Sequence, residues 1–380
     1  MNKYGIYSFC YLVVIVLLSG CAGGSDGGDT TTTRSYYLGF TDFPYDLSLT
    51  AVDDTWSVLN QDADMVTMHF DDGIPWQEAL DGVNNHTSYT VNYDSNYLNT
   101  LNDKQSRIQI LSGHIVYLAV TPLNFFRNGL ALHRGANGNE TLTSPWDGYA
   151  LDNPDVITAY VAHCENMISI FHPDYFAYAI EANMLYTQDS AQWPAFVNLA
   201  QATYTAIKAS HPDLPVFVSL QASFFHSDES GQTAAIQQIL PYTDFITVSA
   251  YPYTSYADPA NIPADFYTSV AALASDKPFA FAETAWPAEN VTSPYPVDIT
   301  ETPQRQQAYL QRLLADADSL HAKFINWFFT RDYDDFWNNY LSTDSNANII
   351  RLWKDTGLYD GAGNARPALT DWQAALVTSH

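Results

Sequence analysis

Val216-Phe-Val-Ser-Leu-Gln-Ala222 and Phe245-Ile-Thr-Val-Ser-Ala250 are short apolar runs, opened by the breakers Pro215 and Asp244, with little polar alternation between their two sides. A strand with one face in water alternates polar and apolar residues. A strand apolar on both faces belongs to a parallel sheet that is covered by helices. Working outward, the same kind of run recurs at Tyr37–Phe43, Met65–Phe70, Ile115–Thr121, Phe176–Ala182, Phe279–Thr284 and Phe324–Phe329, each followed by enough chain for a helix. Helical spacing is clearest at Pro154–Ile170, Ala191–Ser210 and Pro303–Leu320, where a proline sits in the first turn, and a last helix is expected over Ala368–Val377. Eight βα units in succession predict an α/β chain forming one closed (β/α)8 TIM barrel, because an open doubly wound sheet rarely needs so many. Long connections follow the second, third, seventh and eighth strands, and in a barrel these loops rise from the C-terminal face, where ligands bind.

The first 20 residues carry Lys3, an uncharged apolar run from Tyr11 to Leu18 and then Leu18-Ser-Gly-Cys21, the build of a secretory signal. The Leu-Ser-Gly-Cys end resembles the bacterial lipobox, which implies a signal peptide over 1–20 and a lipid on Cys21 as the sole membrane attachment. Ala22, where an aspartate would imply retention at the inner membrane, points to the outer membrane or cell surface. Residues 21–35 are mainly Gly, Ser, Thr and Asp and read as a flexible tether, leaving 36–380 as the folded domain. Of the cysteines, Cys10 lies in the signal and Cys21 at its end, so Cys164 is alone in the body and no internal disulfide can form.

The chain has 15 Lys and Arg against 42 Asp and Glu, a formal net charge of −27. That balance excludes nucleic acid as a partner, since a phosphate backbone is bound through clustered Lys and Arg. Acidity by itself keeps a secreted protein soluble and names no ligand. Neither CxxC nor HxxEH spacing occurs, so no metal or cofactor is signalled, and a monomer is the simplest assembly.

Charged residues are scarce in the strands, so Glu181 at the end of the fourth and Glu283 at the end of the seventh stand out. Two carboxylates facing each other across a barrel mouth supply what glycosidic cleavage requires: one held protonated to donate to the leaving oxygen, the other ionised to attack the anomeric carbon. Proximity of the pair would raise the pKa of Glu181, and a nearby arginine (Arg127, Arg134 or Arg331) would hold Glu283 ionised. An ordinary ion pair at the barrel rim is the bland alternative. It is weakened by how few cations exist to partner the two glutamates. Strand alternation puts Asn183 on the same face as Glu181. His69, Asp71 and Asp72 end the second strand, and Asp42 and Asn124 end the first and third, as candidate ligands of sugar hydroxyls. Loop aromatics are numerous (Trp76, Phe125, Phe126, Trp146, Tyr253, Tyr256, Trp286, Tyr333, Phe336 and Trp337), and a minority are expected to stack on a neutral polysaccharide or oligosaccharide.

Glutamates ending strands four and seven, with Ala282-Glu-Thr-Ala-Trp-Pro287 and Ala250-Tyr-Pro-Tyr253, resemble the clan A glycoside hydrolases and, within them, the arabinogalactan endo-β-1,4-galactanases. The resemblance implies a retaining, two-glutamate hydrolysis of β-glycosidic bonds with Glu181 as acid/base and Glu283 as nucleophile. It further implies Tyr251 as the hydrogen-bond donor to Glu283 and Trp327 as the floor of the sugar subsite. The family's Asn-Glu pair is absent, because Ile180 precedes Glu181 and the asparagine follows at Asn183. That departure leaves open an alignment with Asn183 in the acid position, and with it a surface lipoprotein that binds glycan without cleaving it. His69-Phe-Asp-Asp-Gly73 also resembles the metal-dependent polysaccharide deacetylases, but none of His114, His133, His163 or His172 has a second histidine four residues away. The resemblance further implies an endo-acting β-glycanase, with galactan, β-glucan and mannan all open as substrates.

Overall fold

The structure is a computed structural model that describes residues 33–87, 92–136, 138–291 and 299–378. The signal, Cys21 and all but the end of the expected tether lie outside the described residues. Residues 33 to 380 form one compact unit.

Eight parallel strands close into a barrel: β1 (Tyr37–Thr41), β2 (Met65–Phe70), β3 (Ile115–Val120), β4 (Tyr175–Ala179), β5 (Val216–Gln221), β6 (Ile246–Ala250), β7 (Phe279–Thr284) and β8 (Phe324–Trp327). Each pairs with its sequence neighbours and β8 returns to β1, with Tyr37 opposite Phe324. The outer ring holds α1 (Leu49–Asp62), α2 (Trp76–Asn84), α3 (Ser95–Ile110), α4 (Pro154–Phe171), α5 (Trp193–Ser210), α6 (Glu229–Ile236), the single turn α7 (Thr268–Ala271), α8 (Pro303–Ser319) and α9 (Pro367–Leu376). The expected (β/α)8 barrel is therefore the observed fold.

Local chemistry accounts for the helix starts. Asn153 caps α4 by accepting from the Asp155 N–H, and Thr302 caps α8 through the Arg305 N–H. In both helices a proline follows directly, where its missing N–H is no loss. Arg34, expected in the tether, is instead 7% exposed; it ion-pairs with Asp64 and donates to the carbonyls of Tyr36 and Thr378. Arg34 thus ties the approach to β1 to the C-terminal end of α9.

The barrel interior is a core separate from the one between strands and helices. It is filled by Met65, Tyr117, Ala119, Ala177, Ile180, Phe217, Phe245, Ala280, Ala282 and Phe324. Tyr117 and Phe324 lie 4.9 Å apart and Phe217 stacks on Phe245 at 5.4 Å. Bulky rings on one side need a gap on the other: a Cβ on Gly39 would stand 2.6 Å from Met65 Cε and 2.8 Å from its carbonyl oxygen.

Two strands depart from simple alternation, and both departures serve the rim. In β4 an extra residue is accommodated between Ala177 and Ala179, and in β7 Phe281 opposes Val248 while Glu283 opposes Ser249, so Ala282 is the extra residue. Each bulge changes which side chains face inward beyond it. β4 stops at Ala179, before the expected Ala182, because Glu181 takes a left-handed φ of 51°.

Candidate active site

The two glutamates converge over the C-terminal rim. By the alternation of β7, Glu283 would share the outward phase of Phe281; the bulge turns it inward and sends Thr284 out to the Ala250 carbonyl and the Tyr309 hydroxyl. Glu283 Oε2 accepts a 2.8 Å hydrogen bond from the Tyr251 hydroxyl, and Oε1 lies 3.0 Å from His69 Nε2. Glu181 is set by its backbone: its N–H donates to Ser219 Oγ at 2.8 Å, which holds the left-handed turn and swings the carboxylate back over the barrel. Non-glycine residues adopt such a φ only where the surroundings demand it.

Arg127 links the pair to a third acid. It is 3% exposed, its Nη1 and Nη2 grip Asp71 at 2.9 and 2.8 Å, and Nη2 lies 3.5 Å from Glu181 Oε2. The tight turn that delivers it, with Arg127 at φ 54°, is closed by its N–H donating to the Asn124 carbonyl.

The two carboxyls sit in opposite electrostatic states. Burial and the negative charge of Glu283 raise the pKa of Glu181 well above the usual carboxylate range, against the opposing pull of Arg127. Burial pushes Glu283 up as well, but His69, the Tyr251 hydrogen bond and Arg127 together outweigh it and hold its pKa below the ordinary value. For His69, burial favours the neutral ring, yet Glu283 and Asp71 overcome it and raise its pKa. The result is a carboxyl that holds its proton facing one that ionises readily.

Several residues expected at the site are elsewhere. Asn183 is fully buried: its Oδ1 accepts from the Gln221 N–H at 2.7 Å and its amide donates to the Gln221 carbonyl and Gln232 Oε1. It braces β4 against β5 and α6 and does not share the face of Glu181, so it offers a sugar nothing, and no carboxylate position is left for it to fill. Trp286 and Trp327 are also fully buried, Trp286 against Tyr309 at 5.0 Å and Trp327 donating its indole N–H to the Thr356 carbonyl. Both face the helical layer, so neither floors a subsite. Asp42 is 5% exposed and ion-pairs with Lys104 of α3. Asn124 is half-buried, and its side chain bonds both the side chain and the backbone of Asn128. Its part is to shape the turn that carries Arg127.

The sequence reading missed Phe328 and Trp353. Phe328, one residue beyond the buried Trp327, is half-buried with its ring centroid 5.6 Å from His69 and 6.2 Å from Tyr251. Trp353 lies 5.5 Å from Tyr251. In-out alternation from Phe324 and Asn326 of β8, both inward, was the available signal for Phe328. Trp353 ends a 3-10 helical stretch, Ser345–Trp353, in the long connection after β8, and had none.

Asp71 is held by Arg127 and Asp72 lies 3.1 Å from Arg134, so each acid of His69-Phe-Asp-Asp-Gly73 already faces an arginine. Among the described residues, one acidic cluster, Glu289, Asp332 and Asp355, has metal-like spacing. The Arg366 guanidinium donates to Asp332 at 2.9 and 2.6 Å and to Glu289 at 2.7 Å, so a cation already fills it.

No family model and no curated protein matches the chain. Among solved structures, an exo-β-1,4-mannosidase from Opitutaceae bacterium strain TAV5 superimposes with a TM-score of 0.63 at 14% identity, covering 92% of this chain and 61% of that one. The chain thus spans less than two thirds of that protein. The chain is similar in fold, a closed (β/α)8 barrel, to structures of clan A glycoside hydrolases. A GH5_18 structure from Streptomyces cattleya in complex with Manβ1-4GlcNAc gives 0.62 at 12% identity over 90% of this chain and 80% of its own. The Ignisphaera aggregans GH53 catalytic domain gives 0.55 at 14% identity over 93% and 98%.

Proposed function

We propose that the chain is a retaining glycoside hydrolase that cleaves β-linked polysaccharide, with Glu181 as acid/base and Glu283 as nucleophile. One observation carries the reading: two carboxyls over one barrel rim, the first neutralised by burial and by its neighbour, the second kept ionised by Tyr251, His69 and Arg127. In the first step Glu283 attacks the anomeric carbon while Glu181 gives its proton to the leaving oxygen. Its own negative charge then helps take a proton from the water that releases the sugar from Glu283. The clan A fold is compatible with that chemistry, and the mannosidase and the Manβ1-4GlcNAc complex among its fold neighbours favour a neutral glycan as substrate.

We further propose that the protein is a monomeric lipoprotein, anchored at the outer membrane or cell surface through Cys21. No helix among the described residues is long and apolar enough to cross a membrane. Substituting Cys21→Ala should release the protein from the membrane fraction.

The test of the activity is product analysis on a panel of β-mannan, β-1,3-glucan, β-1,4-glucan and β-1,4-galactan, with Glu283→Gln in parallel. The wild type should release oligosaccharide from at least one glycan, and Glu283→Gln should bind that glycan and release none. A wild type that binds but never cleaves would leave the glycan-binding lipoprotein.

A further inference from the structure

The loop aromatics divide by exposure. Trp76, Trp146, Tyr253, Trp286, Tyr333 and Trp337 are at most 5% exposed, whereas Phe125 and Phe126 are 42% and 57% exposed. Two adjacent phenyls left in water are a local loss of hydrophobic stabilisation, and the turn that carries them is closed by hydrogen bonds. The Asn124 N–H donates to the Gly129 carbonyl at 3.0 Å, the Arg127 N–H to the Asn124 carbonyl at 2.8 Å, and Gln192 Nε2 ties the Asn128 carbonyl to the start of α5 at 2.9 Å. The two rings stand edge to face at 84°, 5.4 Å apart, which leaves one ring's flat face unshared between them.

The next residue is Arg127, whose guanidinium reaches Asp71 and Glu181. The phenyls are therefore indexed to the acid/base by one and two residues of a closed turn. Glu283, with Tyr251, His69 and Phe328 about it, lies toward β6, β2 and β8. The sugar attacked by Glu283 must sit over that group, and the leaving oxygen must meet Glu181. The next sugar along the glycan then emerges on the side of β3 and β4, where the turn stands.

We propose that Phe125 and Phe126 form the platform for the neutral pyranose on the leaving-group side of the scissile bond, stacking on its C–H face. The proposal rests on the hydrolase reading for which side is which, but its binding arm can be tested without turnover.

The binding arm uses affinity electrophoresis in gels containing β-mannan, β-1,3-glucan or β-1,4-galactan. The full chain carrying Glu283→Gln should be retarded by one of them, and adding Phe125→Ala and Phe126→Ala should weaken retention about tenfold. The kinetic arm uses the active chain and the retarding glycan. The double phenylalanine variant should lose about tenfold in kcat/KM on the glycan and nothing on the matching glycosyl fluoride, whose leaving group carries no sugar. Unchanged retention, equal losses on glycan and fluoride, or no retardation in any gel each overturns the platform. Retention that depends on the phenylalanines in a wild type that cleaves nothing supports the platform while removing the hydrolase reading.

Discussion

Arg127 Nη2 stands 3.5 Å from Glu181 Oε2 while both terminal nitrogens of the same guanidinium hold Asp71. The arginine is thus shared between Asp71, which it grips with two short bonds, and Glu181, the proton donor of the proposed reaction. Because Asp71 takes the two short bonds, Arg127 lowers the pKa of Glu181 without cancelling its elevation.

Replacing Arg127 with Met should move both limbs of the pH profile upward. Arg127 opposes protonation of Glu181 and of Glu283, so its loss raises both pKa values. Glu283 then needs a higher pH to ionise, and Glu181 keeps its proton to a higher pH. A kcat/KM profile from pH 4 to 10 measures both limbs, with a loss in kcat of about 10²-fold or more expected from the misplaced acid. A variant that loses activity with both limbs in place would make Arg127 a merely structural residue.

Tyr251→Phe removes one donor from Glu283 Oε2. The hydrogen bond lowers the pKa of Glu283, so the acid limb alone should move to higher pH, with kcat down about 10- to 10²-fold. An acid limb that stays in place would show that the 2.8 Å contact does not hold the nucleophile ionised.

Glu181→Gln should stabilise the fold at alkaline pH. A carboxyl whose pKa is raised by folding binds its proton more tightly in the native state, so the stability it contributes is complete below the unfolded carboxylate pKa. That contribution is lost as pH rises through the elevated folded value. The amide has no such loss. Thermal unfolding should give the variant a Tm higher than wild type by about 2 °C or more at pH 9, and little difference at pH 4. Equal Tm values at pH 9 would contradict the buried, elevated acid.

Phe217→Ala, inside the barrel near the start of β5, should cost about 3–5 kcal/mol in chemical denaturation, because Tyr117, Phe245 and Phe324 around it cannot collapse into the gap. A loss below about 1 kcal/mol would contradict a tightly packed aromatic interior.

The barrel was legible because its strands are apolar on both faces, a pattern that depends on composition and survives small errors of phase. Met65–Phe70 and Phe279–Thr284 begin and end as the sequence reading placed them. Glu181 and Glu283 were legible for the same reason, as charges in apolar runs. Direction was not legible. The bulges in β4 and β7 each add one residue without any composition mark, and the left-handed Glu181 hides in an ordinary Ala-Ile-Glu-Ala string. Strict alternation therefore sent Asn183 toward the cleft when it braces the wall, and the family resemblance placed Trp327 where Phe328 stands. Asp42 was misread because its partner, Lys104, lies 62 residues away on a helix, and nothing local foretells the ion pair.

The central claim, that Glu283 is the nucleophile facing a protonated Glu181, is tested most directly by trapping. The chain is incubated with the 2-deoxy-2-fluoro-β-glycosyl fluoride of the sugar that the glycan panel identifies, then digested and read by mass spectrometry. The account predicts one fluoroglycosyl adduct, on the peptide carrying Glu283, and none in Glu283→Gln. An adduct on Glu181 or any other residue, or continued turnover of that reagent with no adduct formed, would contradict it.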